Sequence, residues 1–176
     1  MDVLCVDKTG TLTGDKITLE YYMDVLGNES RRVLDLAYLN SLYHTGVRNH
    51  LDAAILACEK MPGQGEHFRE LSARHPKLDE QPFDYERKFA SVLVEEEKEN
   101  LLIIKGSVDE VCRRCTSFEY KGERSPMGPD GLANVHAVVD EMLEDGMKVL
   151  AVAYKPFAGD SLETGEKSDF VLLGYL

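Results

Sequence analysis

One short segment near the start of the chain combines residue types suited to phosphoryl transfer. Residues 7–13 read DKTGTLT and follow an apolar run, residues 3–6, that predicts a short buried strand. A carboxylate exposed at a strand end, here Asp7, can attack a phosphoryl group and hold it as an acyl phosphate. The adjacent Lys8, with the amides and hydroxyls of the loop, can offset charge on the phosphoryl oxygens. These residue types are therefore suited to a phosphoryl-transfer site.

The same seven residues resemble the phosphorylation signature of P-type ATPases, which are ATP-driven cation pumps. Seven contiguous matches are far more specific than a short glycine motif, whereas a generic polar loop explains only the glycine and some threonines. The resemblance implies that Asp7 is the phosphorylated nucleophile, with Lys8 and Thr11 at the phosphate. It also implies that Asp7 and a main-chain oxygen of Thr9 bind Mg²⁺.

A second segment resembles the ATP site of the same family. The sequence FDYERK begins at Phe83 and ends at Lys88. In the family a phenylalanine at the first position stacks on adenine, and a lysine at the last position lies close to the nucleotide. Tyr85 departs from the family pattern, since many calcium and sodium pumps have arginine there.

Three further matches complete the implied nucleotide site. The sequence KGSVD resembles the family motif KGAPE, which implies that Lys105 lines the adenine pocket and that Gly106 lets the ring approach the backbone. The sequence LDAAI resembles a segment whose acidic residue meets the adenine amino group, here Asp52. Lys148 occurs where relatives often have a phosphate-facing arginine.

Each of these matches also has a purely structural interpretation. Phe83 could be an ordinary core residue, and Lys88 and Lys148 could be solvated charges. Asp52 could belong to a helix N-terminus, where carboxylates are favoured. The common order of the matches behind DKTGTLT favours the nucleotide-binding interpretation.

The residues around the motifs are most similar to those of bacterial magnesium-transporting P-type ATPases, with plasma-membrane proton pumps as the nearest alternative. Ion identity rests on this resemblance alone, because the family's transport residues lie in membrane helices. A soluble phosphatase of the haloacid-dehalogenase type is a second alternative, but it needs an aspartate where Thr9 stands. A scaffold role would leave DKTGTLT unexplained.

Composition limits the possible partners. The chain has 176 residues and a formal net charge of -12, so nucleic-acid binding is not expected. ATP is also an anion and therefore needs a local basic pocket. No apolar run approaches the roughly 20 residues of a membrane helix. Cys112 and Cys115 form a CxxC without a second close pair, which favours reduced, helix-packed thiols over a zinc site.

The element pattern predicts an α+β fold, in which an antiparallel sheet is flanked by helices. We expect residues 1–16 to be the edge of a phosphorylation domain and its hinge, and residues 17–176 to be a nucleotide-binding domain. The resemblance implies a cytoplasmic domain of an inner- or plasma-membrane protein, whose remaining phosphorylation, actuator and transmembrane domains are its partners. The domain by itself is expected to bind ATP without steady turnover. Helices are predicted over residues 30–43, 49–60, 66–73, 107–115 and 132–145, and strands over 16–25, 77–82, 88–95, 100–105, 148–154 and 170–176. Residues 117–127 are predicted to form a strand or a hairpin that turns at residues 121–122.

Overall fold

The structure is a computed structural model that describes residues 17–46, 49–97, 99–162 and 168–176. The DKTGTLT segment, with Asp7, Lys8, Thr9 and Thr11, lies outside the described residues. So does the predicted domain boundary at residue 16.

Helices and strands mix along the described chain, and their bounds follow the apolar pattern closely. No helix in the described ranges has both the length and the apolar character needed to cross a bilayer. In chain order the elements are β1 (Met23–Asp24), α1 (Arg31–Tyr43), α2 (His50–Ala57), α3 (Gly65–Arg74), β2 (Lys77–Gln81), β3 (Phe89–Val94), β4 (Asn100–Gly106), α4 (Val108–Cys112), β5 (Cys115–Tyr120), β6 (Glu123–Pro126), α5 (Pro129–Glu144), β7 (Ala151–Phe157) and β8 (Phe170–Tyr175).

All the strands join one sheet in the order β2-β3-β4-β7-β8-β5-β6, with β1 also pairing with β8. The predicted hairpin of β3 and β4 is confirmed, with Val94 opposite Leu101 across the turn. The expected antiparallel sheet is confirmed except that β5 runs parallel to β8. This pairing joins strands distant in sequence, so no local turn motif could indicate it.

Both faces of the central strands are buried, which explains their continuous apolar runs. Along β4, Leu101 and Ile103 pack in one cluster with α1, α2 and α3. Leu102 and Ile104 alternate with them and pack in the other cluster with α4 and α5. The sheet is therefore the middle layer between two helical layers.

Several predicted boundaries were wrong. The strand predicted over residues 148–154 is β7, Ala151–Phe157, and the helix predicted over 132–145 begins at Pro129. Helix α4 ends at Cys112, and Cys115 starts β5 opposite Phe170. Cys115, which was predicted to be helical, pairs with β8 instead. The strand predicted over residues 16–25 is reduced to Met23–Asp24 in the described part. It pairs with β8 at Gly174, where a Cβ would lie 1.9 Å from the carbonyl oxygen of Met23.

Candidate functional site

A cavity of about 280 Å³ opens where the N-terminal end of α2 faces the adjacent ends of β3 and β4. It collects residues from four separate stretches of sequence. Five of the predicted nucleotide-site residues line it, namely Asp52, Phe83, Lys88, Lys105 and Gly106.

Asp52 is positioned by the N-terminus of α2. Asn49 precedes the helix in an extended conformation, and its Oδ1 accepts a hydrogen bond from the main-chain nitrogen of Asp52 at 2.8 Å. This is N-terminal capping by a preferred residue type. Asp52 lies in the first helical turn, as its structural interpretation predicted, and it also lines the cavity, with only 3% of its surface exposed.

A closed network of three side chains forms the buried wall of the cavity. Lys105 Nζ lies 2.6 Å from Asp52 Oδ1. The hydroxyl of Ser41, on α1, donates to the same Oδ1 at 3.0 Å and accepts a hydrogen bond from Lys105. All three residues are buried, and Asp52 Oδ1, the Ser41 hydroxyl and the Lys105 ammonium are hydrogen-bonded to one another, as expected for buried polar groups.

The charges in this network determine its titration. Burial alone would raise the pKa of Asp52, but the Lys105 ammonium and the hydrogen bonds from Lys105 and Ser41 outweigh it and hold that pKa below its ordinary value. Burial lowers the pKa of Lys105, and the Asp52 carboxylate opposes this shift. The arrangement is best described as a buried ion pair at neutral pH.

Gly106, at the end of β4, allows two backbone segments to meet. A Cβ at this position would lie 2.2 Å from the carbonyl oxygen of Lys88 and 2.5 Å from Cα of Phe89. The next residue, Ser107, donates its main-chain N–H to that carbonyl of Lys88 at 2.9 Å. The glycine therefore brings the end of β3 to the floor of the cavity, and a side chain would obstruct it.

A tight turn presents Phe83 and Lys88 at the cavity mouth. Asp84 Oδ1 accepts the main-chain N–H groups of Glu86 and Arg87 at 2.6 and 3.2 Å, and these bonds hold the pKa of Asp84 below its usual value. Lys88 is exposed and adopts a positive φ of 57°.

Phe83 is not a core residue. Its exposed fraction is 38%, and it lines the cavity. Tyr85 meets it edge-on with ring centroids 5.6 Å apart, but Tyr85 is 90% exposed and is not among the cavity-lining residues.

The structure does not bring Lys148 to this cavity. Lys148 is exposed and lines a neighbouring cavity, also of about 280 Å³, together with residues 17–20 and part of α2. The two cavities share Leu51 and Leu150 in their walls. Lys148 is thus close to the first cavity without lining it.

Sequence reasoning missed Ser41, His44 and Asn49, which also line or support the cavity. Asn49 could have been found, because asparagine before an apolar helical run is a capping signal. Ser41 and His44 carried no such signal, since their contacts depend on the packing of α1 against α2.

Metal ligands are not clustered in the described part of the chain, where no group of three or more His, Cys, Asp or Glu side chains could hold an ion. The predicted Mg²⁺ ligands, Asp7 and Thr9, lie outside the described residues. Cys112 and Cys115 are buried free thiols. Burial raises the pKa of both, to about 11 for Cys112, as expected for packed, unreactive cysteines.

Comparison with known proteins identifies the relatives of this chain. The sequence model of the family described as P-type ATPase, cytoplasmic domain N, matches residues 45–175. A magnesium-transporting ATPase, P-type 1, of Escherichia coli is 41% identical over 179 residues, which cover 100% of this chain and 20% of that protein. The protein of the same name in Salmonella typhimurium is 42% identical over 180 residues, covering 100% of this chain and 19% of its own length. A calcium-transporting ATPase of Listeria monocytogenes is 28% identical over 192 residues, covering 98% and 22%.

The resemblance inferred from the motifs is confirmed by these matches. The two magnesium-transporting relatives are more similar to this chain than the calcium-transporting one is. The chain spans about a fifth of the length of the curated relatives it matches. Since the matched segment makes up well over half of the chain, the chain belongs to the family of P-type ATPase cytoplasmic N domains.

Proposed function

We propose that this chain is the ATP-holding part of a cation-transporting P-type ATPase. The observation that carries the proposal is the meeting of Asp52, Phe83, Lys88, Lys105 and Gly106 at one cavity. The sequence motifs alone point to these residues, and they come from separate stretches of the chain. Their convergence is what a nucleotide site requires, and a set of unrelated core and surface residues would not converge in this way.

The shape of the cavity favours the adenosine end of the nucleotide. Small-molecule sites commonly have volumes of about 300–1,000 Å³, so a cavity of about 280 Å³ suits the base better than a whole nucleoside triphosphate. In our proposal the base enters between Phe83 and the backbone at Gly106. Asp52 and Lys105 meet its polar edge, and the phosphates lie outside the cavity.

The exposed Lys88 is placed to attract the phosphates. The chain as a whole is acidic, with a net charge of -12, so ATP needs local positive charge near the cavity mouth. Lys105 is already neutralised by Asp52, which leaves Lys88 as the cavity-lining ammonium with solvent access.

In the parent protein, we propose that Asp7 is phosphorylated by the bound ATP and that hydrolysis of the aspartyl phosphate drives cation transport, with magnesium as the expected cargo. Mg²⁺ bound by Asp7 and Thr9 would neutralise charge on the transferred phosphoryl group. The similarity to two magnesium-transporting ATPases supports this assignment. The domain would lie on the cytoplasmic side of the membrane and work with the remaining phosphorylation, actuator and transmembrane domains.

A calorimetric titration of the chain with ATP tests the proposal. We expect saturable binding of ATP with one site per chain and no steady release of phosphate. Absence of binding would overturn the nucleotide-binding role. Steady hydrolysis that disappears in Asp7→Asn would show that the chain needs no further domains for turnover, contrary to the proposal.

A further inference from the structure

We propose that Ser41 is a positioning residue that sets the nucleobase preference of the cavity. This inference rests on the proposed function, that is, on adenine-nucleotide binding at the cavity. Ser41 acts through Asp52 and Lys105: its hydroxyl fixes which of their polar atoms faces the base.

The hydroxyl of Ser41 joins the two charged groups in a defined order. A serine hydroxyl offers one donor and two acceptor positions. Here it donates to Asp52 Oδ1 at 3.0 Å and accepts from Lys105 Nζ, while Lys105 also donates to Oδ1 at 2.6 Å. Oδ1 therefore accepts two hydrogen bonds, and Lys105 donates through two of its three N–H groups.

What remains is one acceptor beside one donor. Asp52 Oδ2 makes no hydrogen bond with any residue in the described part of the chain, but it is also not fully enclosed by the protein. Lys105 keeps one N–H. Both residues line the cavity, so a ligand with a donor next to an acceptor fits them. The 6-amino group and N1 of adenine form such a pair, whereas guanine carries the reverse order, with acceptor O6 beside donor N1–H.

Ser41 is itself fixed to the strand that carries Lys105. The preceding residue, Asn40, is fully buried, and its Nδ2 donates to the carbonyl oxygens of Ala90 and Ile103 at 3.2 Å each. Ala90 is opposite Lys105 in the β3–β4 pair. These bonds tie the end of α1 to both strands, so the hydroxyl of Ser41 has little freedom relative to the ammonium group.

Removal of the hydroxyl should let Asp52 and Lys105 change which of their polar atoms faces the base. In Ser41→Ala, Lys105 loses an acceptor and Asp52 loses a donor, although the ion pair itself can persist. The carboxylate and ammonium can then rotate and present either order of donor and acceptor. We therefore expect a weaker preference for adenine over guanine, rather than a general loss of binding.

The experiment compares ATP and GTP titrations of the unmodified chain with those of Ser41→Ala and Ser41→Cys. Cysteine fills the space of serine but is a weak hydrogen-bond donor, so it covers the case in which the alanine variant folds poorly. Ser91→Ala is the matched control, because Ser91 is also fully buried, its hydroxyl has no partner among the described residues, and it does not line the cavity.

For the unmodified chain we expect at least tenfold tighter binding of ATP than of GTP. The ratio of ATP affinity to GTP affinity should fall at least about threefold in Ser41→Ala and Ser41→Cys and stay unchanged in Ser91→Ala. Ser41→Thr keeps the hydroxyl, so the ratio should also stay unchanged in that variant. An unchanged ratio in a folded Ser41 variant that still binds ATP would overturn the role of Ser41 alone. Failure of the unmodified chain to bind ATP would instead overturn the proposed function, and the role of Ser41 with it.

Discussion

Lys105 and Asp52 form an ion pair with 2.6 Å between Nζ and Oδ1, and their side chains are only 5% and 4% exposed. The pair joins β4 to the first turn of α2 and also lines the candidate nucleotide cavity. The proposed nucleotide binding and the folding of the domain therefore depend on the same two side chains. Any substitution of either residue needs a stability measurement beside the affinity measurement.

Lys105→Met should destabilise the domain as well as weaken ATP binding. Removing one partner of a buried ion pair leaves the other charge uncompensated, which typically costs about 3–5 kcal/mol. Urea unfolding should show this loss in free energy. The double variant Lys105→Met with Asp52→Leu should regain part of it without regaining ATP binding. A single variant as stable as the unmodified chain would show that the pair contributes little to folding.

Lys88→Asn should behave in the opposite way. Lys88 is exposed at the cavity mouth and has a positive φ of 57°, a conformation that asparagine tolerates better than most residues. We expect unchanged stability, lower ATP affinity and a smaller effect of salt on binding, since screening acts mainly on exposed charges. Titrations at low and high salt measure this. Equal salt dependence in the two proteins would contradict a role for Lys88 in attracting the phosphates.

Phe83→Ala should weaken ATP binding at least tenfold while the fold is kept. Aromatic stacking on a base contributes about 1–3 kcal/mol, and the partly exposed ring of Phe83 lines the cavity. Tyr85→Ala is the matched control, because Tyr85 lies two residues away, contacts Phe83 and does not line the cavity. If both variants lose the same affinity, the turn as a whole, and not the ring of Phe83, determines binding.

The sequence was sufficient for most elements and indicated five residues that line one cavity, but it did not indicate the contacts between them. The apolar runs of β3 and β4 and the helical spacing in α1 are local patterns, so their elements were predicted correctly. Motif similarity placed Asp52 and Lys105 in one pocket. It could not show that they bind each other or that Ser41 joins them, because those contacts arise only when α1 packs against α2 and the sheet. The parallel pairing of β5 with β8 was missed for the same reason.

Acid should weaken the fold through Asp52. Its pKa is held below the ordinary value by Lys105 and Ser41, against the effect of burial, and His44 also faces it. A carboxyl with a lowered folded pKa stabilises the fold fully above its unfolded pKa of about 3.9. This contribution is lost as the pH falls through the folded pKa.

The free energy of unfolding should therefore differ most between the unmodified chain and Asp52→Asn at neutral pH. The difference should shrink as the pH is lowered below about 4. Urea unfolding at a series of pH values measures the gap, and the other carboxylates, which both proteins share, cancel in the comparison. A gap that stays constant down to pH 2 would mean that Asp52 does not titrate in this range.

Gly106→Ala should destabilise the domain and disturb the cavity together. The added Cβ would lie 2.2 Å from the carbonyl oxygen of Lys88 and 2.5 Å from Cα of Phe89. Both are backbone atoms, so a side-chain rotation cannot relieve the clash, and β3 and β4 must separate at this end. Overpacking of this kind typically costs about 1–3 kcal/mol and occasionally more.

Gly128→Ala is the control for this change. A Cβ at Gly128 has no neighbour within 4 Å, and its φ of -84° suits any residue, so only the small effect of replacing a helix-capping glycine is expected. Thermal unfolding should show a large decrease in melting temperature for Gly106→Ala alone. ATP affinity should fall with it, because the displaced strand end carries Lys88 and lies beside Lys105. A stable Gly106→Ala protein that binds ATP normally would show that the two strand ends can separate without cost and that the close approach at Gly106 does not shape the cavity.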